Sequence, residues 1–336
     1  MKKNSEFLSW FVGALLIVIA VLIIIALAVV KSQTETTSVS VSQQAPTLAS
    51  VKLCDTGLAT SCPQISDYLG NANAPKAMDV LVKVTDPNGY GDISKVETTL
   101  YRSGIGGPAA CAGSNNVDGN YCYNNVYNQT LGGVDACVFD SAEGITSAWW
   151  RCRVTLQSWM DATDPLSKYS SQTWNIDAVI YDTATSTSLI TGSTFENTSV
   201  LSMNFGSSTI SYGQMSLGAT QAGVAVLGTL YGNSDADMTI QSNSAVMSCN
   251  GPGSANIPVL NQRFGTDNNT YELLASALST SAQDLDFENN PNDNKLIART
   301  SETTNPADSV YFGIQIPSTG VSGTCSVTAT ILTVAQ

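Results

Sequence analysis

Eight cysteines and two runs of acidic and amide side chains are the residues of this chain best able to make bonds beyond ordinary packing. The cysteines are Cys54, Cys62, Cys111, Cys122, Cys137, Cys152, Cys249 and Cys325. An even count in an exported chain closes disulfides, and eight cysteines allow about 105 pairings. Nearness along the chain suggests Cys54–Cys62, Cys111–Cys122 and Cys137–Cys152, which leaves Cys249 for Cys325. No C-x-x-C spacing occurs. With no histidine, a zinc site would need four thiolates. Covalent staples are the expectation.

The acidic runs point to hard cations. Asp284, Asp286, Glu288 and Asn290 alternate in DLDFENNPND, continued by Asn292 and Asp293, and Asp86, Asn88 and Asp92 do so in TDPNGYGD. Calcium takes six to eight oxygens, so it is the one cofactor these residues admit, held at Asp284, Asp286, Glu288 and Asn290. Asp and Asn also make turns unaided, and neither run has the EF-hand pattern. Asn128, Asn197 and Asn268 each begin an N-glycosylation sequon in a polar stretch, which predicts accessible loops.

Catalysis finds little to work with. Histidine is absent from all 336 residues, which removes Ser-His-Asp and Cys-His pairs, imidazole metal ligands and a histidine pH switch. A carboxylate pair for glycoside hydrolysis remains open by composition, but no nucleophile elbow or phosphate loop is present. No catalytic residue is expected, and the chain reads as no enzyme. Trp150 and Trp174 read as core; Trp149 and Trp159 fit either core or a sugar-stacking platform.

The elements around these residues are a helix and many strands. Leu8 to Val30 carry no charge and as a helix span about 34 Å, enough for a hydrocarbon core. Lys2 and Lys3 precede this stretch and Lys31 follows it, so the positive-inside bias keeps the N-terminus cytoplasmic. Two other readings compete: signal cleavage after Ala26-Leu27-Ala28, and a prepilin-like leader around Lys2 to Ser5. Residues 31–50 are rich in Ser, Thr and Gln and form a stalk. The net charge of −13 repels phosphate backbones, so nucleic acid is not an expected partner.

Beyond the stalk, period-2 alternation dominates. Met78, Val80, Val82 and Val84 alternate with Asp79, Leu81 and Lys83, and Trp150, Cys152, Val154 and Leu156 repeat the pattern. So do Trp174, Ile176, Ala178 and Ile180, and later Val310, Phe312, Ile314 and Ile316. Cys325, Val327, Ala329 and Ile331 share a face of the final strand, and Tyr271 to Ser279 reads as a short helix. Tryptophan stops after residue 174, which sets a composition break near Leu201 to Ser208. The expected fold is all-β: a transmembrane helix followed by two tandem antiparallel β-sandwich domains. The segments are 1–7 cytoplasmic, 8–30 membrane, 31–50 stalk, 51–204 first domain and 205–336 second domain, which opens on a strand at Thr209 to Ser211.

VLVKVTDPNGYGDISKVETTLY (Val80 to Tyr101) resembles the immunoglobulin-like modules common in prokaryotic, especially archaeal, surface proteins. NFGSSTISYG and VYFGIQIPSTGVSGTCSV look like a second β-sandwich of exported proteins. The resemblance implies surface display, adhesion or envelope architecture and supplies no catalytic residue. The expected partners are the lipid bilayer through the N-terminal helix, and envelope proteins, surface glycans or copies of the chain itself. The expected location is the cell membrane, single-pass, with the C-terminal domains extracellular. The rival readings are a filament subunit, pilin-like or assembled by strand exchange, and an anchored carbohydrate-active enzyme.

Overall fold

The computed structural model describes residues 3–28, 38–111, 119–124, 137–183, 190–285, 296, 299 and 304–335. They fall into two compact units, Met1–Ser42 and Gln43–Gln336. In the first unit, helix α1 (Lys3–Ala28) forms from Leu-, Ile- and Ala-rich sequence free of proline. Apolar side chains surround it: Leu8, Trp10, Phe11, Leu16 and Ile17 are each more than half exposed. A helix that is apolar all round has no water-facing side. Its side chains are described from Leu8 to Ile23, a rise of about 24 Å. Among the described residues no helix is long and apolar enough to cross a membrane. Ser38 to Pro46 adopt neither helix nor strand.

Among its described residues the second unit is built of β-strands joined by turns and short 3-10 segments. Strand β1 (Thr47–Asp55) begins at Thr47 rather than Val51, because Thr47 already pairs with Thr85. After the short β2 (Asp67–Tyr68) come β3 (Lys76–Thr85), β4 (Ile93–Arg102), β5 (Cys122–Asn124) and β6 (Cys137–Ala142). They are followed by β7 (Ser147–Leu156), β8 (Trp174–Asp182) and β9 (Ile190–Asn197). One sheet has the order β1-β3-β7-β6, the other β2-β9-β8-β4-β5, with only β2 and β9 parallel. Met78, Val80, Val82 and Val84 from β3 meet Trp174, Ile176, Ala178 and Ile180 from β8 in one core, as their alternation predicts. Trp174 is fully buried and stacks on Phe195 at 6.1 Å. Between β3 and β4 the turn Asp86-Pro87-Asn88-Gly89 closes with a Gly89 N–H to Asp86 carbonyl bond; Gly89 has φ of 121°. A side chain there would be strained.

The strands around the second core begin within the composition break, where β10 (Leu201–Phe205) pairs with β11 (Thr220–Gly232). Further strands are β12 (Ala236–Ser242), β13 (Val246–Cys249), β14 (Ile257–Pro258) and β15 (Gln262–Gly265). Then follow β16 (Ser276–Ala277), β17 (Gln283–Asp284), β18 (Ala307–Gln315), β19 (Cys325–Ser326) and β20 (Ala329–Ala335). The sheet orders are β10-β11-β18-β15-β16, β17-β12-β20 and β14-β13-β19. The core between the first two holds Val226, Leu230, Met238, Ile240, Val310 and Phe312.

Three local expectations are corrected here. Thr209 to Ser211 are irregular. Tyr271 to Ser279 form one 3-10 turn, Tyr271–Leu273, and then β16, because Ala277 and Ser276 find backbone partners in Arg263 and Phe264. Pairing to a sheet edge outweighs helix propensity in so short a segment. The final strand is split: β19 pairs with β13 while β20 pairs with β12. Its apolar face survives the split, since Val327, Ala329 and Ile331 still pack on the core.

Although their cores are separate, the two modules form one compact unit. The Met160 carbonyl accepts the Asn197 amide at 2.7 Å and the Asn233 amide at 2.9 Å. Asn233 Oδ1 in turn accepts the Val200 N–H at 2.6 Å. Arg299 lies 3.8 Å from the centre of the Trp159 ring.

Candidate functional site

A sizeable concavity lies in the second module, lined by residues at which the sequence points to no ligand site. Its origin is local. After β10 the chain reads Gly206 to Leu217 (GSSTISYGQMSL), rich in Ser and Gly, and it leaves the sheet in an irregular path. Ile210 and Tyr212 from this segment pack on the core without adding a strand. Opposite them lie β19, β20 and the residues between. The result is a cleft of about 1280 Å³ floored by Val226, Ile240, Phe312 and Ile314 and walled by Met247 and Ile331. That is roomy for a ligand site, which commonly measures about 300–1,000 Å³.

The cleft has one decisive electrostatic property. Among the described residues no charged side chain lines it, in a chain of net charge −13. Its polar groups are neutral: Ser207, Thr209, Gln262, Ser326 and Thr328 among them. Burial, and to a lesser degree the neighbouring Tyr271, push the Tyr212 phenol well above its ordinary pKa, so it stays neutral. Its hydroxyl donates to the Gly313 carbonyl at 3.4 Å. A charged occupant would be stripped of water with nothing to pair it. The arrangement can hold an apolar, uncharged group or chain.

The cysteines form the four disulfides that nearness suggested: Cys54–Cys62, Cys111–Cys122, Cys137–Cys152 and Cys249–Cys325. The last two join directly opposed residues of neighbouring strands. Cys54–Cys62 packs under Trp149 and Leu81 on the outer face of the first sheet. Lys52 and Lys83 lie 4.9 and 5.8 Å from the Trp149 ring. Trp149, Trp159 and Trp174 are buried, and Trp150 packs against the core, so the tryptophans build no common sugar-stacking face.

The cation readings fare differently. Asp284 sits exposed on β17, whereas Asp286, Glu288 and Asn290 lie outside the described residues. Among the described residues no three His, Cys, Asp or Glu side chains converge as a metal site. Asp86 is fully buried and makes a turn: its Oδ1 accepts the Asn88 N–H at 2.7 Å, and Asn88 Oδ1 accepts the Gln44 N–H at 2.7 Å.

Of the sequons, Asn128 lies outside the described residues and Asn268 is exposed. Asn197 corrects the expectation of an accessible loop. It is 1% exposed, and the nitrogen that would carry a sugar donates to the Met160 and Asp161 carbonyls.

One polar cluster escaped sequence reading. Asp79 is fully buried, and its carboxylate accepts Arg151 Nη1 at 2.8 Å, Arg153 Nε at 2.9 Å and the Gly57 N–H at 2.9 Å. Burial alone would raise its pKa. The bonds from Arg153, Gly57 and Arg151 outweigh burial and hold it below the ordinary carboxylate value. Arg151 also reaches Asp140 and the Leu58 carbonyl, so the cluster fastens the loop closed by Cys54–Cys62 to the sheet. The signal was the alternation itself, which sets Asp79, Arg151 and Arg153 on the face opposite the core.

No protein-family model matches the chain. No curated protein matches it in sequence. Among solved structures, the C-terminal domain of the AgI/II polypeptide BspA from Streptococcus agalactiae aligns over 86% of this chain and 95% of that one. The identity is 11% and the TM-score 0.16, a likeness that carries no argument about function. What remains is the molecule's own character: an all-β, disulfide-bonded region behind an apolar N-terminal helix.

Proposed function

We propose that this chain is a non-catalytic, membrane-anchored surface protein, with its N-terminus in the cytoplasm and both β modules displayed outside as an adhesive or envelope-contacting body. The observation that carries this reading is the set of four disulfides, all beyond the helix and with no free cysteine left. Such bonds persist in oxidising compartments. The apolar surface of α1 supports an anchor in the bilayer. The first module is read as immunoglobulin-like. Lettered in chain order as A, A′, B, C, C′, D, E, F and G, its strands give an A-B-E-D sheet facing A′-G-F-C-C′. It differs from antibody domains in lacking a B–F disulfide; Cys137–Cys152 joins D to E instead.

Protease treatment of intact cells tests the reading. Cleavage within residues 31–50 should release a disulfide-bonded fragment and leave α1 with the membrane. Full protection of the β region on intact cells, or reduced thiols in protein taken from them, would overturn it.

A further inference from the structure

We propose that Asn268 is the acceptor of an N-linked sugar, attached on the exported side of the membrane. Asn268-Asn269-Thr270 is a sequon whose middle residue is not proline. A sugar can be joined only to an amide nitrogen within reach, and a bulky polar group is tolerated only where it meets solvent. Asn268 satisfies both conditions. It lies between β15 and the Tyr271–Leu273 turn, in neither helix nor strand, and is exposed. Its side chain makes no hydrogen bond among the described residues. Thr270 is exposed as well; its backbone is extended, with φ of −65° and ψ of 160°, and its hydroxyl does not cap the turn that follows. The two side chains that define the sequon are presented together.

The sequon at Asn197 is the opposite case. There the amide nitrogen is held by the Met160 and Asp161 carbonyls, and the Ser199 hydroxyl donates to Asp164 Oδ1 at 2.7 Å. Both of its ends are engaged in the fold.

The second observation is the surface beside Asn268. β11 bulges between Gln221 and Val224, where its register to β18 shifts, and Gly223 sits in the bulge at φ of 80°. A β-carbon on Gly223 would come within 2.8 Å of Asn268 Oδ1. Glycine therefore both permits the bulge and leaves the Asn268 amide its place. Around it opens a concavity of about 460 Å³, lined by Thr220, Gln221, Thr270 and Glu272 beside Asn268 itself. That volume falls within the range of small-ligand sites, about 300–1,000 Å³. Hydroxyl, amide and carboxylate groups are the partners that sugar hydroxyls bond.

The donor is a saccharide linked to a lipid phosphate, brought by a membrane transferase. Transfer forms the bond from Asn268 Nδ2 to the anomeric carbon and breaks that carbon's bond to the phosphate oxygen. The amide gives one proton to a base of the transferase, and the lipid phosphate leaves with the electron pair. Modification rests on the exported placement of the β region proposed above.

The test takes the full chain from its native cells without reductant and digests it with trypsin. Asn268 then lies in the peptide Phe264 to Lys295, which holds no other sequon. Mass spectrometry should find this peptide heavier by whole sugar residues, with the added mass on Asn268. Asn268→Gln and Thr270→Ala should each lose that mass, whereas Thr270→Ser should retain it. Added mass that survives Thr270→Ala would overturn the proposal, since it would owe nothing to the sequon. Unmodified Asn268 in protein whose cysteines are oxidised would overturn the proposal and leave export standing. Unmodified Asn268 together with reduced thiols would overturn both.

Discussion

The two modules solve the same packing problem with different degrees of closure. In the first, two sheets meet over a tryptophan-centred core, and a loop is fastened to the outer face by a disulfide and by the Asp79–Arg151–Arg153 cluster. Ion pairs such as Lys76–Asp55 and Arg102–Asp161 add to it. In the second, a single disulfide spans 76 residues and the core opens into the cleft. Desolvating charge at the first surface carries a cost that the neutral cleft does not.

The sharpest way to test this contrast is to remove the covalent bonds. Loss of Cys249–Cys325 by a double Ser substitution should cost about 4.5 kcal/mol, and loss of Cys54–Cys62 about 2.5, because the closed loops differ in length. Urea unfolding under non-reducing conditions measures both. Equal losses would mean that loop length does not govern.

Core truncation comes next. Trp174→Ala should cost about 3–5 kcal/mol, since the side chain is fully buried between Tyr123 and Phe195. Phe312→Ala should fall at or below the low end of that range, as one side of Phe312 already faces the cleft. A larger loss at Phe312 than at Trp174 would show the cleft to be closed in solution.

Acid should separate the modules again. Asp79 has a depressed pKa, so its stabilising effect is complete above the unfolded carboxylate value of about 3.9 and is lost as pH falls through its folded value. Hydrogen exchange resolved by peptide should show the first module loosening below about pH 4. Asp79→Asn should weaken the first module at neutral pH and flatten that acid dependence. The smallest effect is at the junction: Arg299→Ala should cost about 0.5–1 kcal/mol through its contact with Trp159.

Much of the first module was legible because its strands are long and strictly alternating. Val80, Val82 and Val84 could face only one way, and cysteines 8, 11 and 15 residues apart had near neighbours to join. The second module hid more. Leu201 to Phe205 are too short to announce a strand, and the Leu274 and Leu278 spacing suits a helix as well as the turn and strand that form. The cleft arises where Gly206 to Leu217 fail to make a strand, and no periodicity marks a wall built from irregular backbone. Asn197 misled because a sequon reports composition, while its burial depends on Met160 and Asp161, distant in sequence.

The carbonyl of Met160, held by one amide from each module, has a mechanical consequence. A pull on the far module reaches the near one through the Asn233 bond to this oxygen, while the Asn197 bond steadies the same carbonyl from within the near module. Removing the Asn233 amide cuts the strut, and removing the Asn197 amide loosens the post on which it stands.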